Sequence, residues 1–233
     1  MNHPAQLESN TAFINYPKQA VFGRTLPKNK IYEHSGANTR LKELFVEQVE
    51  QIIWQYKLAP ETINLAAKPE VPELQIFSIQ LKTAELNLDV LRCIDGAVQF
   101  PIIFELSFDG RTKVVAAYKR PNKSDASRWV LSDYFATAWL PSDIERTAMP
   151  IALDLSGLYE QVLHRVIHTP ARPQESLTDL VGRVELVAAK QREVEKAASK
   201  LAKEKQFNRR VEINALLRQL KNELEQLTGS EGA

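Results

Sequence analysis

One cysteine, Cys93, stands in 233 residues, which excludes an intrachain disulfide and any multi-cysteine metal site. A lone thiol suits a reducing compartment. Glycine is sparse as well. The eight glycines are scattered, with no G-x-G-x-x-G run, no Walker lysine pattern and no G-x-S-x-G elbow, so no phosphate cradle or hydrolase nucleophile is spelled out. Long apolar runs are missing too: the longest, such as Phe100 to Leu106, are strand-sized and far short of a bilayer span. Met1 to Asn10 lacks the basic segment and apolar run of a secretory leader, and the expected compartment is the cytoplasm. Neither charge sign is in excess. The formal net charge of +1 gives no global pull toward nucleic acid or membrane, so electrostatic arguments must be local.

What is present is ordinary globular composition, 44% hydrophobic and 25% charged, in a chain long enough for one core plus an appendage. Pro17, Gly23 and Pro27 break residues 13–34 into short pieces. Asn38 offers an N-cap, and Leu41, Leu44, Phe45, Val49, Ile52, Ile53 and Tyr56 recur at helical spacing, predicting a helix that ends before Pro60. Phe77, Ile79 and Leu81 then alternate with polar residues, as in a strand. A short helix from Leu86 to Ile94 follows, ended by Gly96. Phe100 to Phe108 and Thr112 to Lys119 flank Asp109-Gly110, a strong hairpin signal. Ser127 to Trp139 reads as a bent or bulged strand, and Ser156 as the cap of a helix carrying Tyr159, Val162, Leu163, Val166 and Ile167. The expected fold is α+β, a mixed or antiparallel sheet with helices packed on one face, over residues 1–170.

Two prolines in Thr169 to Gln174 mark a boundary, and residues 171–233 form a helical, coiled-coil-like extension. From Ser176 to Leu227 there is no proline and one glycine; Ser176 with Asp179 resembles a capping box. Unbroken, about 50 residues of helix would run roughly 75 Å. Its apolar positions fall in two heptad blocks, Leu177 to Leu201 and Ile213 to Leu227, in different registers. Phe207 and Val211 bridge the shift, implying a stutter, a bend or a helical hairpin. Leu201, Phe207, Leu217, Leu220 and Leu224 are the candidate helix-pairing residues, against a second copy, another protein, or the chain itself. Lys203, Lys205, Arg209 and Arg210 belong to a local basic stretch that can contact phosphates, as can Lys28 and Lys30 in a basic loop near the N-terminus. Phe207 is the only aromatic of that helix, which gives single-strand stacking little support.

Chemistry is harder to find. Glu160, His164 and His168 share a helix face, but the residue after His164 is Arg165, where a zincin-type site needs glutamate; a surface helix end suits them better than metal. Asp95, Glu105 and Lys119 are the residues of a possible metal-dependent nuclease, yet no carboxylate stands two positions from the lysine. Glu105 interrupts an apolar strand and needs a partner, for which Lys119 or Arg120 is the nearest candidate.

Several segments together, Leu26-Pro27-Lys28 before Ile31-Tyr32, Lys42-Glu43-Leu44-Phe45 running to Trp54 and Tyr56-Lys57-Leu58, Asp95 to Leu106, Ala117-Tyr118-Lys119, and Tyr134-Phe135 with Trp139, resemble a bacterial family, domain of unknown function 4391. The resemblance covers about residues 13–170, with the long helix as the usual tail. It implies genes beside helicase and DNA-methyltransferase genes in antiphage or restriction-like neighbourhoods. It transfers no activity, cofactor or catalytic residue, although Lys28, Glu105 and Lys119 fall in its recurrent segments. The leading expectation is a non-catalytic accessory subunit of a DNA-directed defence complex, joined through the α/β domain and long helix to a helicase, a methyltransferase or itself. A degenerate nuclease and a nucleic-acid-binding adaptor are the alternatives.

Overall fold

Asp109-Gly110 turns the chain as its sequence predicts. In the computed structural model, which describes residues 11–122, 124–125 and 128–229, these two residues take φ values of 46° and 70°. That is the left-handed pair a two-residue type I′ hairpin requires, and it joins β5 (Ile102–Phe108) to β6 (Arg111–Pro121).

The described chain divides between His168 and Thr169 into two compact units. The first is built on a mixed seven-stranded sheet. Its order is β2 (Val21–Thr25), β3 (Val49–Leu58), β4 (Leu74–Leu81), β5, β6 and β7 (Trp129–Ala136), with β8 (Leu140–Pro141) also paired to β6. Only β4 and β5 are parallel; every other pairing is antiparallel. The parallel pair needs a crossover, supplied by a segment containing helix α4 (Leu88–Ala97), while α1 (Lys28–Ser35), α2 (Thr39–Gln48) and the short α3 (Pro60–Ile63) precede it. Gly96 sits inside α4 rather than ending it.

One face of the sheet carries Phe77, Ile79, Phe104, Leu106 and Val115, packed against Ile31, Phe45, Val90, Leu91 and Ile94 of α1, α2 and α4. Strand alternation sends Ile103, Glu105, Val114, Ala116 and Tyr118 to the other face. There α5 (Leu155–Val166) lies against β6, with the Tyr118 and Tyr159 rings 6.3 Å apart. The helical layer therefore gains a member on the opposite face. A two-stranded parallel ribbon, β1 (Ile14–Asn15) with β9 (Thr147–Ala148), completes the unit. The cap of α5 is Asp154, whose side chain accepts from the Gly157 amide at 2.9 Å, rather than Ser156.

The helix predicted from Leu41 to Tyr56 is the main correction. Asn38 caps it as expected, but α2 stops at Gln48 and the chain continues directly into β3. Val49, Ile52, Ile53, Trp54 and Tyr56 are β-branched or aromatic and pair with β4 on both their strand parities. Short apolar runs of this kind satisfy a 3.6 period and a sheet equally, and tertiary pairing decides.

The second unit replaces one long helix by two, α6 (Leu177–Lys203) and α7 (Phe207–Thr228), which fold back as a helical hairpin. Ser176 caps α6, accepting from the Asp179 amide. The chain reverses at residues 204–206. Here the Glu204 carboxylate accepts the amides of Lys205 and Gln206, each at 2.8 Å, a local bond that competes with helix continuation. Val194, Ala197 and Leu220 form the seam, flanked by Leu217 and Leu224. Lys190 bridges the helices to Glu223 at 2.9 Å. At the base, Arg172 donates to the carbonyls of Leu227 and Gly229, closing the end of α7.

Candidate functional site

Lys119 and Asp95 are brought together, on the helical face of the sheet. Lys119 projects from β6 toward the end of α4 and donates to the Asp95 carbonyl at 2.6 Å and to the Val98 carbonyl. Val98 is the C-cap of α4, so these oxygens belong to the helix end, where carbonyls lack helical partners and the dipole favours a cation. The Asp95 carboxylate stands 3.6 Å from the ammonium and accepts the Tyr134 hydroxyl. Both residues are only 4% exposed. Burial pushes the Asp95 carboxyl up to about 6, against the pull of Lys119 and Tyr134. Burial likewise lowers the Lys119 ammonium, with Asp95 opposing, and holds the Tyr134 hydroxyl protonated. The Lys119 amide donates to the Tyr159 hydroxyl, which in turn donates to the Ala117 carbonyl, where β6 and β7 shift register.

A cleft of about 360 Å³ opens beside this cluster, walled by Arg92, Asp95, Gly96, Gln99, Lys119 and Trp129. Its charged floor is already engaged: the ammonium holds two carbonyls and a carboxylate, and that carboxylate holds a tyrosine. The arrangement ties α4 to the sheet.

Glu105 lies elsewhere. It points to the opposite face, and its partner is neither Lys119 nor Arg120 but Arg146, which donates to both carboxylate oxygens at 2.8 and 2.6 Å. The same guanidinium donates to the Ile14 carbonyl of β1, so one arginine ties the ribbon to the sheet. The bidentate fork is the strong form of the carboxylate pair. The three-residue constellation of Asp95, Glu105 and Lys119 is therefore split across the sheet.

Lys28 and Lys30 stand on α1 rather than in a loop. Lys28 reaches inward to the carbonyls of Phe45, at 3.0 Å, and Val49, capping α2 much as Lys119 caps α4. Lys30 pairs with Glu33 on the exposed face of α1. Glu160 and His164 are 3.7 Å apart, whereas His168 donates to the Ala136 carbonyl at 2.8 Å. Among the described residues no three His, Cys, Asp or Glu side chains are grouped to hold a metal ion.

In the hairpin, Leu217, Leu220 and Leu224 face the seam, Leu201 is half-buried, and Phe207 is not in the seam: it opens α7 and is 78% exposed. Lys203, Lys205, Arg209 and Arg210 surround the reversal. At about 100° per residue, Phe207 and Val211 stand on roughly the side of α7 opposite Ile213, Leu217, Leu220 and Leu224. The two heptad registers thus belong to two helices, α6 and α7, which meet in one seam.

Arg146, Tyr134 and Tyr159 escaped the reading of the sequence. Arg146 sits in an irregular stretch with no period, and both tyrosines pass as apolar strand or helix residues; only the odd carboxylate at 105 signalled that a buried partner must exist.

The described residues make a mixed-sheet α+β protein with a helical hairpin, whose buried charges serve as struts. The chain belongs to the domain-of-unknown-function family DUF4391, which matches residues 14–224 and so takes in the hairpin as well as the sheet. No curated protein and no solved structure matches it. No helix among the described residues is long and apolar enough to cross a membrane.

Proposed function

We propose that the protein is an accessory subunit of a bacterial DNA-directed complex of the antiphage or restriction kind, docking a helicase or methyltransferase subunit and breaking no bond itself. The observation that carries the reading is the pair Ile151 and Leu153, each 95% exposed on the irregular segment before α5. Two branched apolar side chains held two residues apart in water make a small apolar patch that a protein partner can cover. The engagement of Asp95, Lys119 and Glu105 in internal struts supports the non-catalytic part, and the family resemblance supplies the DNA-directed context.

The test is co-purification with the helicase or methyltransferase encoded beside the gene. Replacing Ile151 and Leu153 together by Asp is expected to abolish association while leaving the melting temperature unchanged, since neither side chain is packed. Retained association would sink the docking surface. Metal-dependent DNA cleavage by the purified chain, lost in a folded Asp95→Asn variant, would replace the accessory reading with the nuclease.

A further inference from the structure

The hairpin tip concentrates charge. Lys196, Lys200, Lys203, Lys205, Arg209 and Arg210 fall within 196–210 against a single carboxylate, Glu204. That carboxylate is folded onto the turn amides, which hold it below the usual carboxylate range. None of the six cations takes part in an ion pair among the described residues. Farther down the hairpin, residues 177–195 and 211–228 carry five Lys and Arg against seven Asp and Glu, with Lys190 paired to Glu193 and Glu223 and Arg183 to Glu175. The hairpin is therefore polarised, with its uncompensated positive charge at one end.

Phe207 sits in the middle of that charge, 78% exposed, with Val211 one turn along at 54%. The first amides of α7 beside it have no side-chain cap. A ring kept in water among cations suits an anionic partner that also offers a flat apolar face. Nucleic acid has both, in its phosphates and its bases. A single ring does not make a track along a single strand, but it does cap one base. Inside a continuous duplex base faces are stacked away; they are free where the duplex opens.

We propose that the tip of the α6–α7 hairpin binds DNA at the junction between duplex and single strand, with Lys203, Lys205, Arg209 and Arg210 on the phosphates and Phe207 stacked on the terminal base. This rests on the DNA-directed reading above, but concerns the chain alone, without its protein partner.

Fluorescence anisotropy of the full-length chain with a labelled duplex bearing a single-stranded arm tests it, with covalently closed circular duplex as competitor. Tight binding to the armed duplex is expected, with log affinity falling against log salt by about 0.9 for each phosphate contacted. Phe207→Ala should erase about five-fold or more of the preference for the armed duplex, the scale of losing one base stack, while weak salt-dependent duplex binding survives. Lys203→Glu with Arg209→Glu should abolish both. Helical circular dichroism checks that each variant keeps its hairpin, which an exposed Phe207→Ala should not disturb. Equal affinity for closed and armed duplexes, or an unaltered preference in Phe207→Ala, overturns the junction assignment. Absence of DNA binding with Phe207-dependent capture by anionic lipid vesicles, or by an acidic peptide, overturns it in favour of that partner. A chain that fails to bind DNA yet still co-purifies with its protein partner would sink this inference and leave the accessory reading standing.

Discussion

Lys119 holds Asp95 twice: its ammonium donates to the Asp95 carbonyl oxygen at 2.6 Å and stands 3.6 Å from the Asp95 carboxylate. The main-chain contact ends α4 and the side-chain contact neutralises a buried charge, so one lysine does for this helix what water does for an exposed one. Lys28 repeats the main-chain half of the device on α2.

Removing that lysine leaves a buried carboxylate and two helix-end carbonyls without their cation. Lys119→Ala is therefore expected to destabilise the first unit by about 3–5 kcal/mol, the range for breaking a buried pair from one side. The double variant Lys119→Ala with Asp95→Asn should recover part of that loss, because the second change removes the stranded charge. Urea unfolding of the parent, Lys119→Ala, Asp95→Asn and the double variant measures the coupling. Recovery equal to zero would mean that Lys119 acts through the carbonyls alone.

Asp95 also sets a pH dependence with an unusual sign. Its carboxyl is raised from the ordinary 3.8 to about 6 in the folded chain, chiefly by burial. Between those values the folded state holds a proton that the unfolded state has released. Stability from this group therefore falls as pH rises through the window and is level above it. The difference in unfolding free energy between the parent and Asp95→Asn should shift in favour of Asn from pH 4 to pH 6, about where the two pKa values lie. A difference independent of pH would show that the carboxyl titrates normally.

The fork between Arg146 and Glu105 predicts that geometry matters more than charge. Arg146→Ala should destabilise by about 2 kcal/mol, the scale of hydrogen bonds to a charged group, moderated by the partial exposure of the guanidinium. Arg146→Lys should rescue little of it, because an ammonium cannot span both carboxylate oxygens and the Ile14 carbonyl together. Thermal melts of the three proteins decide; full rescue by Lys would reduce the contact to simple charge pairing.

Local chemistry was the legible part of this fold. Asn38, Ser176 and Asp109-Gly110 act within a few residues of themselves, and their caps and turn are where the sequence places them. The α2–β3 junction was illegible because Val49 to Tyr56 fits both periods, and the choice is made by β4 and by Lys28, far along the chain. The hairpin was half legible. Its two registers were visible, but the decisive bond, from Glu204 to the amides of its two successors, resembles any glutamate in a charged helix. The candidate site was the least legible. Glu105 announced that it needed a partner, but strand parity, which sends it away from Lys119, is known only once the register with β6 is known. Arg146 lies 41 positions away in an irregular segment.

The base of the hairpin has the opposite acid response from Asp95. Glu175 takes Arg183 through both oxygens, at 2.6 and 2.7 Å, and accepts the Arg172 amide as well. The Arg183 contact chiefly holds its carboxyl down, at about 2. The folded value lies below the unfolded one, so the stabilisation is fully present above the ordinary 4.5 and is lost as pH falls through 2. Glu175→Gln should therefore loosen the hairpin at neutral pH, with the difference fading as pH falls toward and below the folded value. Amide exchange of residues 177–185 and 220–228 reads the hairpin base directly, and in the parent these amides should become less protected across the acid window. Equal protection in parent and variant at neutral pH would mean that the α6–α7 seam, through Val194, Ala197 and Leu220, holds the base closed without the ion pair. In that case Arg172, which reaches the Leu227 carbonyl from the same loop, would be left as the main clasp of the hairpin end.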